Sequence, residues 1–174
     1  MVEEYTYKGA VISRNGKVEQ EISNRIKKRY TIYYHLCNIV IGKREVDKNV
    51  KVHIFKAVYL PTLLYGSESW VLLDKHLSRV TAVEMRYLRR VAGRTRRDRI
   101  WNERTRLDVG TVSIKDTIEK RQVRWFEHLC RMSEDGPKKI IRGQTNRIQW
   151  KDCISRVGER REKSWGAMRV LARD

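Results

Sequence analysis

The amino-acid sequence predicts a mainly α-helical fold: a bundle of about five to seven helices with a short N-terminal β-strand or hairpin. Apolar residues recur at spacings of three and four positions along most of the 174 residues. Only two prolines and ten glycines interrupt this pattern. Aromatic and β-branched residues are concentrated in one early run, YTYKGAVIS, which is typical of a strand. With 40% hydrophobic residues, the chain can bury a core.

The β element and the first helix are expected in the N-terminal part. The YTYKGAVIS run is followed by Asn15 and Gly16, a pair typical of turns. The first helix is expected from 18 to about 41, with Arg25 and Lys28 facing water. Its apolar stripe consists of Ile22, Ile26, Tyr30, Tyr33, Cys37 and Val40.

The second helix is expected in the segment KNVKVHIFKAVYLPTLLY. Asp47 precedes this segment and is the expected N-cap. Pro61 lacks an N–H group and should kink the helix, and Gly66 should end it. Because its polar edge is narrow, we expect this helix to be the central and most buried one. The motif LPTLLYGSESW then consists of a helix end, a cap and an anchoring tryptophan, Trp70.

Two further helices are expected before residue 113. Asp74 should cap the first, and Gly93 should end it. A short helix around Asp98–Asp108 should end at Gly110. The mostly apolar stripe of the first of these helices contains Leu77, Val80, Glu84, Tyr87, Leu88 and Val91.

The C-terminal part is expected to be helical as well. Ser113, with Asp116 three residues later, is typical of a capping box. The core face of the helix that follows should consist of Ile114, Ile118, Trp125, Leu129 and Met132. Two tail helices are expected around Trp150, Ile154 and Val157, and around Trp165, Met168 and Leu171. The expected organisation is a β element at 1–16, a helical bundle at 17–112 and a helical C-terminal extension at 113–174.

The charge of the chain indicates a polyanionic partner. Thirty-nine Lys and Arg against 21 Asp and Glu give a net charge of +18. Such a surplus is typical of nucleic-acid binding, although an anionic membrane or an acidic protein is an alternative. No apolar run approaches the roughly 20 residues of a membrane span. The first residues, MVEEYTYKGA, lack the apolar core of a signal peptide, so we expect an intracellular protein, nuclear or cytoplasmic.

The sequence shows no catalytic constellation, and we expect no enzyme activity, cofactor or metal. Ser67 follows a predicted helix, whereas a nucleophile elbow needs a strand before its serine. The motif HLC occurs at 35–37 and at 128–130. On a helix, residues two apart diverge by about 200°, so neither His–Cys pair can easily hold one ion. The three cysteines are odd in number and widely spaced, which argues against a disulfide framework.

Two basic ridges are the candidate binding residues. Arg79, Arg86 and Arg90 share one face of a predicted helix, and Arg94 and Arg97 extend it past the helix end. A second ridge consists of Lys120, Arg124 and Arg131. On neighbouring helices, two such ridges could follow the phosphates of a duplex, because the arginine fork binds phosphate oxygens in a bidentate way. The alternative is a solvated face.

Tyrosines beside cations form a third candidate, in the segment RIKKRYTIYYHL. Lys28 could contact phosphate, and Tyr34 could stack on a base because it lies off the apolar stripe. The alternative is that Tyr30, Tyr33 and Tyr34 belong to the core.

Several blocks resemble the reverse transcriptases of LINE-type, non-LTR retrotransposons. IFKAVYLP followed by LLYGSESW is similar to their thumb region, and EEYTYKGAVISRNGKVEQEI to the segment that closes the palm. EMRYLRRVAG, RDRIWNE, IEKRQVRWFEHLCRM, WKDCI and WGAMRVLARD follow in the family's order. The resemblance implies a helical thumb at 17–112, which in the family clamps the template–primer duplex by its backbone. The palm, with its metal-binding aspartate pair, has no counterpart here, so no catalytic residue carries over.

Three hypotheses follow. The leading one is a non-catalytic module that holds duplex nucleic acid or RNA–DNA hybrid by its phosphates. The second is a protein-interaction scaffold, or a non-functional relic of a retrotransposon polyprotein, whose charge serves solubility or an acidic partner. The third is a thumb that complements a separate polymerase palm. A homodimer is also expected, because a thumb without its palm exposes a face that is otherwise covered.

Overall fold

The structure, a computed structural model, describes residues 4–7, 10–13, 18–131, 154 and 157–159. This part of the chain is mainly helical, with six α-helices and one β-hairpin, which confirms the predicted fold class. It forms two compact units. Unit 1 comprises Met1–Tyr65 and Leu73–Lys115, and unit 2 comprises Gly66–Leu72 and Asp116–Asp174. No helix in the described ranges is long and apolar enough to cross a membrane.

Unit 1 begins with an antiparallel hairpin of strands β1 (Glu4–Tyr7) and β2 (Ala10–Ser13). Tyr7 lies opposite Ala10 in the register. The strands therefore pair within the YTYKGAVIS run, where β-branched and aromatic residues favour extended backbone. Asn15 and Gly16, which the sequence assigns to a turn, lie outside the described residues.

Helix α1 (Glu19–Leu36) continues into a π-helical turn at Cys37–Ile41, as the first predicted helix requires. The expectation that Arg25 faces water is wrong, because its side chain is buried. Arg25 Nε lies 2.5 Å from Glu21 Oε1, and its guanidinium covers the Tyr65 ring at 4.6 Å. A carboxylate one turn back and an aromatic face compensate for the loss of water around the charge.

The second helical segment consists of α2 (Lys48–Ile54), a π-helical turn at Phe55–Tyr59 and α3 (Leu60–Leu63), one after another. Asp47 caps α2 as predicted, since its Oδ1 accepts from the Asn49 N–H at 2.6 Å. Pro61 stands in the first turn of α3, directly after the π-helical turn. Because the hydrogen-bond pattern changes from π-helical to α-helical at this point, the missing N–H of Pro61 is accommodated.

This segment is not the most buried one, contrary to expectation. No residue of α2 is buried, although Phe55, Tyr59 and Leu63 further along are. Helix α4 (Asp74–Val91) is buried along a wider face, which consists of His76, Val80, Val83, Glu84, Met85, Tyr87, Leu88 and Val91. A narrow polar edge in the sequence therefore does not predict a central position.

The two ends of α4 differ in how well the sequence predicts them. Asp74 is the first helical residue and not the cap, because Leu73 occupies the N-cap position without a side-chain hydrogen bond. Gly93 ends the helix as predicted, with a left-handed φ of 67°. The Arg94 N–H donates to the Arg89 carbonyl at 2.8 Å, which satisfies a carbonyl group at the helix end.

Helix α5 (Asn102–Val109) begins later than the sequence predicts, because Asp98 has another role. Its Oδ2 accepts from the Thr95 N–H at 2.6 Å and so closes the loop before the helix. Gly110, with a left-handed φ of 72°, ends α5 as predicted. Arg106 of α5 binds Glu84 of α4 through its Nη2 at 2.6 Å and its Nε at 3.4 Å, and both side chains are buried.

The core of unit 1 contains a buried arginine, Arg29 of α1. Its Nη2 donates to the carbonyl oxygens of Val58 and Tyr59, and its guanidinium lies 4.0 Å from the centre of the Tyr59 ring. The Tyr59 hydroxyl donates to the Val83 carbonyl at 3.1 Å. The rings of Tyr59 and Tyr87 are 4.5 Å apart. Burial lowers the pKa of Arg29 to about 10, so the side chain stays charged at neutral pH.

Unit 2 is built around Trp70 and most of helix α6 (Ile114–Arg131), whose first two residues belong to unit 1. Gly66 has a left-handed φ of 76°, and a 3₁₀ turn at Ser67–Ser69 leads to the buried Trp70. Gln122 Nε2 donates to the Trp70 carbonyl at 2.8 Å. These contacts agree with the prediction that LPTLLYGSESW ends a helix and anchors a tryptophan.

The predicted core face of α6 is partly wrong. Ile114 and Ile118 are buried as expected, but Trp125 is 38% exposed and Phe126 is buried in its place. The stripe passes through the buried Gln122, whose amide satisfies a carbonyl and whose i+4 neighbour is Phe126. Ile154 and Val157 of the tail are helical and buried. Met132 and the other predicted tail residues, Trp150, Trp165, Met168 and Leu171, lie outside the described residues. The burial of Leu129 is not described either.

The Glu84–Arg106 pair gives a stability prediction with an internal control. Replacing Glu84 by Gln leaves a buried guanidinium without its main counter-charge, so the free energy of unfolding should fall by about 3 kcal/mol. Glu103 binds the same arginine, at 3.3 Å from Nη1, but its side chain is 74% exposed. Glu103→Gln should cost less than about 1 kcal/mol. Urea unfolding followed by tryptophan fluorescence measures both, and equal losses would contradict this assignment.

Candidate nucleic-acid interface

Helices α1 and α4 lie side by side and run in the same direction. Lys75 Nζ lies 3.0 Å from Glu19 Oε2, and Arg79 Nη2 donates to Ser23 Oγ at 3.0 Å. In both pairs the α4 residue comes 56 positions after its α1 partner. The same offset relates Arg86 to Tyr30, over whose ring the guanidinium lies at 5.0 Å. A constant offset along three pairs is the mark of two parallel helices in register.

We call the outer surface along this line the α1–α4 seam. It is formed by Ser23, Lys27, Tyr30, Tyr34, Arg79, Arg86 and Arg90. The three arginines are all exposed, and their spacing of seven and four places them on one side of α4. The sequence places them on the side of the helix opposite the buried stripe, but in the structure they lie beside α1. The structure thus brings Arg79, Arg86 and Arg90 together along a single line.

Tyr34 belongs to the seam, whereas Lys28 does not. Tyr34 is 59% exposed and meets Tyr33 edge-on at 5.6 Å. At about 100° per residue, Lys28 points some 120–160° away from Ser23, Tyr30 and Tyr34. Lys27, which is also exposed, lies within about 60° of the same three residues. Sequence analysis missed Lys27, although its spacing of three and seven from Tyr30 and Tyr34 was visible.

Tyr30 and Tyr33 hold Arg86 in place. The Arg86 guanidinium lies 5.0 Å from the Tyr30 ring and 6.0 Å from the Tyr33 ring. Tyr33 is also packed at 6.4 Å against Tyr87. Both rings are therefore partly used inside the unit, whereas most of the Tyr34 ring is exposed. The two aromatic faces stabilise the guanidinium of Arg86, whose side chain stays exposed.

Tyr33 leaves the positive charge of the seam intact. Burial raises its pKa to about 12, although the neighbouring Arg86 and Arg90 act in the opposite direction. The phenol is consequently neutral at physiological pH, and it does not compensate for either guanidinium.

Arg94 and Arg97 have different environments. Arg94 Nη2 lies 2.5 Å from Asp108 Oδ2, so this arginine ties the end of α4 to α5. Arg97 is exposed in the loop between these helices. The sequence placed both on one extended ridge, but the ion pair engages Arg94 in the structure and Arg97 stays accessible.

The second ridge lies on α6 in unit 2. Lys120, Arg124 and Arg131 are exposed, and their spacing of four and seven places them on one side of the helix. Arg131 Nε donates to the carbonyl of Glu127 at 3.4 Å. That the two ridges follow one duplex stays a prediction.

The chemistry available at the seam is hydrogen-bond donation, positive charge and an aromatic face. Glu19, the carboxylate at its start, is paired with Lys75, which holds the pKa of that carboxyl below its usual range. Within the described parts of the chain, no group of three His, Cys, Asp or Glu side chains could hold a metal ion. The seam suits an extended anion that also carries flat, apolar rings.

The chain is similar to a transposon-derived protein and to a mobile-element polymerase. It is 26% identical over 160 residues to an uncharacterized transposon-derived protein of Caenorhabditis elegans, covering 90% of this chain and 56% of that protein. It is 23% identical over 129 residues to the RNA-directed DNA polymerase from mobile element jockey of Drosophila melanogaster, covering 72% of this chain and 14% of the polymerase. No protein-family profile and no solved structure matches the chain. The two alignments support a retrotransposon-derived origin.

The buried tyrosines predict a loss of stability at alkaline pH. Burial raises the pKa of Tyr33, Tyr59 and Tyr87, so the folded chain keeps phenol protons that the unfolded chain loses above pH of about 10. The stabilising contribution is complete below that pH and falls as pH rises to about 12, where Tyr33 itself ionises. Arg29 has a lowered pKa and offsets part of this fall.

Urea unfolding at a series of alkaline pH values measures the effect. Tyr33→Phe should flatten the decline, because one of the three linked protons is removed. Tyr34→Phe, a neighbouring substitution at an exposed ring, controls for the loss of a hydroxyl group from this part of α1. A free energy of unfolding that is constant from pH of about 10 to about 12 would contradict the assignment.

Proposed function

We propose that the chain is a non-catalytic nucleic-acid-binding module derived from a retrotransposon reverse transcriptase, and that it grips duplex or RNA–DNA hybrid by the phosphate backbone. In this proposal residues 1–16 are the palm–thumb junction, 17–112 the thumb and 113–174 an extension. The observation that carries the proposal is the α1–α4 seam. Three exposed arginines line one helix, and a lysine and an exposed tyrosine line the parallel helix beside it.

The dimensions of the seam fit a nucleic-acid strand. Arg79 and Arg90 are eleven residues apart on α4, or about 16 Å along the helix axis. At about 3.4 Å of axial rise per nucleotide, this length matches about five phosphates of one strand. Arg86, between them, is held over its tyrosine platform, so less side-chain freedom is lost when its fork meets a phosphate.

Backbone contacts of this kind position a duplex without reading its sequence. We therefore expect weak base specificity and steep salt dependence. If about five cations meet phosphates, the log–log slope of affinity against salt should be about −4 to −5. The names of the two relatives, a transposon-derived protein and an RNA-directed DNA polymerase, support a nucleic-acid setting for this surface.

A protein-interaction scaffold is the second candidate. The exposed apolar side chains of Ile39 and Leu107 could add apolar contacts to such a docking surface. This function predicts binding to an acidic protein, with nucleic-acid affinity that is weak and equal for single strands, duplex and hybrid.

Reversing two seam charges should remove most of the binding. Arg86→Glu with Arg90→Glu should weaken affinity for an RNA–DNA hybrid roughly tenfold or more and make the salt slope shallower by about two. Fluorescence anisotropy with a labelled hybrid, titrated between about 50 and 300 mM salt, measures both quantities. Thermal unfolding of the variant verifies that the fold is retained. A double variant that binds like the parent chain would remove the seam from the interface.

Lys27 and Lys28 provide a matched control at adjacent positions. Lys27→Glu, at the seam, should weaken hybrid binding, whereas Lys28→Glu, on another side of α1, should not. Both substitutions change the net charge by the same amount. Equal effects of the two would indicate generic polycation behaviour and would favour the scaffold function.

A further inference from the structure

The loop between α4 and α5 ends in an unusually exposed indole. Trp101, directly before α5, is 81% exposed. None of the described residues places a ring or a cation against it. Tryptophan is normally buried to a large extent, since it removes more apolar surface from water than any other side chain. An indole displayed in this way is suited to receive a flat ligand on its face.

The charges around Trp101 select the class of ligand. Arg96, Arg97 and Arg99 are exposed, and none of them forms an ion pair with a residue that the structure describes. The nearby acids are exposed but have partners in the chain: Asp98 accepts from Thr95, and Glu103 lies 3.3 Å from Arg106. The loop therefore presents cations and an aromatic face to solvent. Three exposed arginines are poorly suited to an apolar protein surface, whereas a strand of nucleic acid offers both phosphates and bases.

The loop is anchored at both ends. Arg94 is bound to Asp108 at 2.5 Å, and Arg89 Nη2 donates to Asn102 Oδ1 at 2.6 Å. Between these anchors Arg99 has a φ of 51°, a left-handed conformation that an arginine adopts only against steric resistance. An anchored loop loses less conformational freedom on binding than a free one.

We propose that Trp101, with Arg96, Arg97 and Arg99, forms a second site that binds an unpaired nucleotide: the indole stacks on the base, and the arginines contact the flanking phosphates. The inference rests on the proposed function in so far as both involve nucleic acid. It adds single-stranded nucleic acid, for example the overhang of a hybrid, to the ligands of unit 1. The site differs from the seam because it recognises a base face, which a duplex keeps in its stack.

Three matched probes test the site. They are a blunt RNA–DNA hybrid, the same hybrid with a single-stranded overhang of about eight nucleotides, and the same overhang made of abasic nucleotides, which keep the phosphates. Trp101→Ala should weaken binding to the overhang probe about tenfold and leave the blunt and abasic probes unchanged. The salt slope should not change, because no phosphate contact is lost. Trp101→Phe should retain most of the affinity, since phenyl rings also stack.

Other outcomes would overturn the proposal. Equal weakening on all three probes would mean that Trp101 supports the fold, and no weakening would mean that no base stacks there. A Trp101→Ala chain that changes its oligomeric state by light scattering, with unchanged affinity for the overhang, would assign the indole to self-association.

The proposed function can fail separately from this site. The parent chain could bind the overhang probe through Trp101 without binding the blunt hybrid. That result would refute duplex binding at the seam and support the stacking site. Loss of blunt-hybrid binding in the Arg86→Glu, Arg90→Glu chain, with no effect of Trp101→Ala on any probe, would do the reverse.

Discussion

The buried guanidinium of Arg29 is the constraint on which unit 1 depends. It reaches the carbonyl oxygens of Val58 and Tyr59 at the end of a π-helical turn, where the helical hydrogen-bond pattern changes before Pro61. Its charge is further stabilised by the Tyr59 ring, and that tyrosine in turn bonds α4. One side chain thus connects α1, the π-helical turn and α4. A buried cation tolerates little displacement, because its alternative is an unsatisfied charge in an apolar core. Arg29 and Tyr59 together therefore tie α1 to α4 through the core, beneath the pairs that line up the two helices at the seam.

Arginines have two separate roles in this chain, and the net charge does not distinguish them. Arg29 and Arg106 are buried in the core of unit 1, where they satisfy carbonyl or carboxylate oxygens. Arg79 and Arg90 are exposed on the seam, and Arg97 is exposed in the loop. Only the exposed set can meet a ligand without unfolding the chain. The +18 charge that indicates a polyanionic partner therefore overstates the number of guanidinium groups that such a partner could reach.

The sequence predicted the helices and several of their ends because these depend on local chemistry. Apolar spacing, the Asp47 cap and the left-handed Gly93 need no information from distant residues. The failures share a different cause. Arg25 was expected in water because charge is usually solvated, but Glu21 and a ring that is distant in sequence compensate for its burial. Trp125 was expected in the core because of its spacing of seven from Ile118, yet a glutamine and Phe126 occupy that stripe. Side-chain partners that only the tertiary fold brings together could not be read from periodicity.

The candidate site was only partly predicted for the same reason: some of its contacts depend on the tertiary fold. The three arginines at spacings of seven and four could be placed on one face of α4 from the sequence alone. The sequence alone does not show that this face lies beside α1. The tertiary packing of the two helices brings the Tyr30 ring to the Arg86 guanidinium. The register also decides between Lys27 and Lys28, which are indistinguishable by composition. Trp101 escaped notice because an isolated tryptophan in a sequence is normally a core residue. The exposure of Trp101 and the bonds from Asp98 to Thr95 depend on the conformation of the loop, which the sequence does not reveal. Together they give a run of arginines two possible kinds of contact, ionic and aromatic.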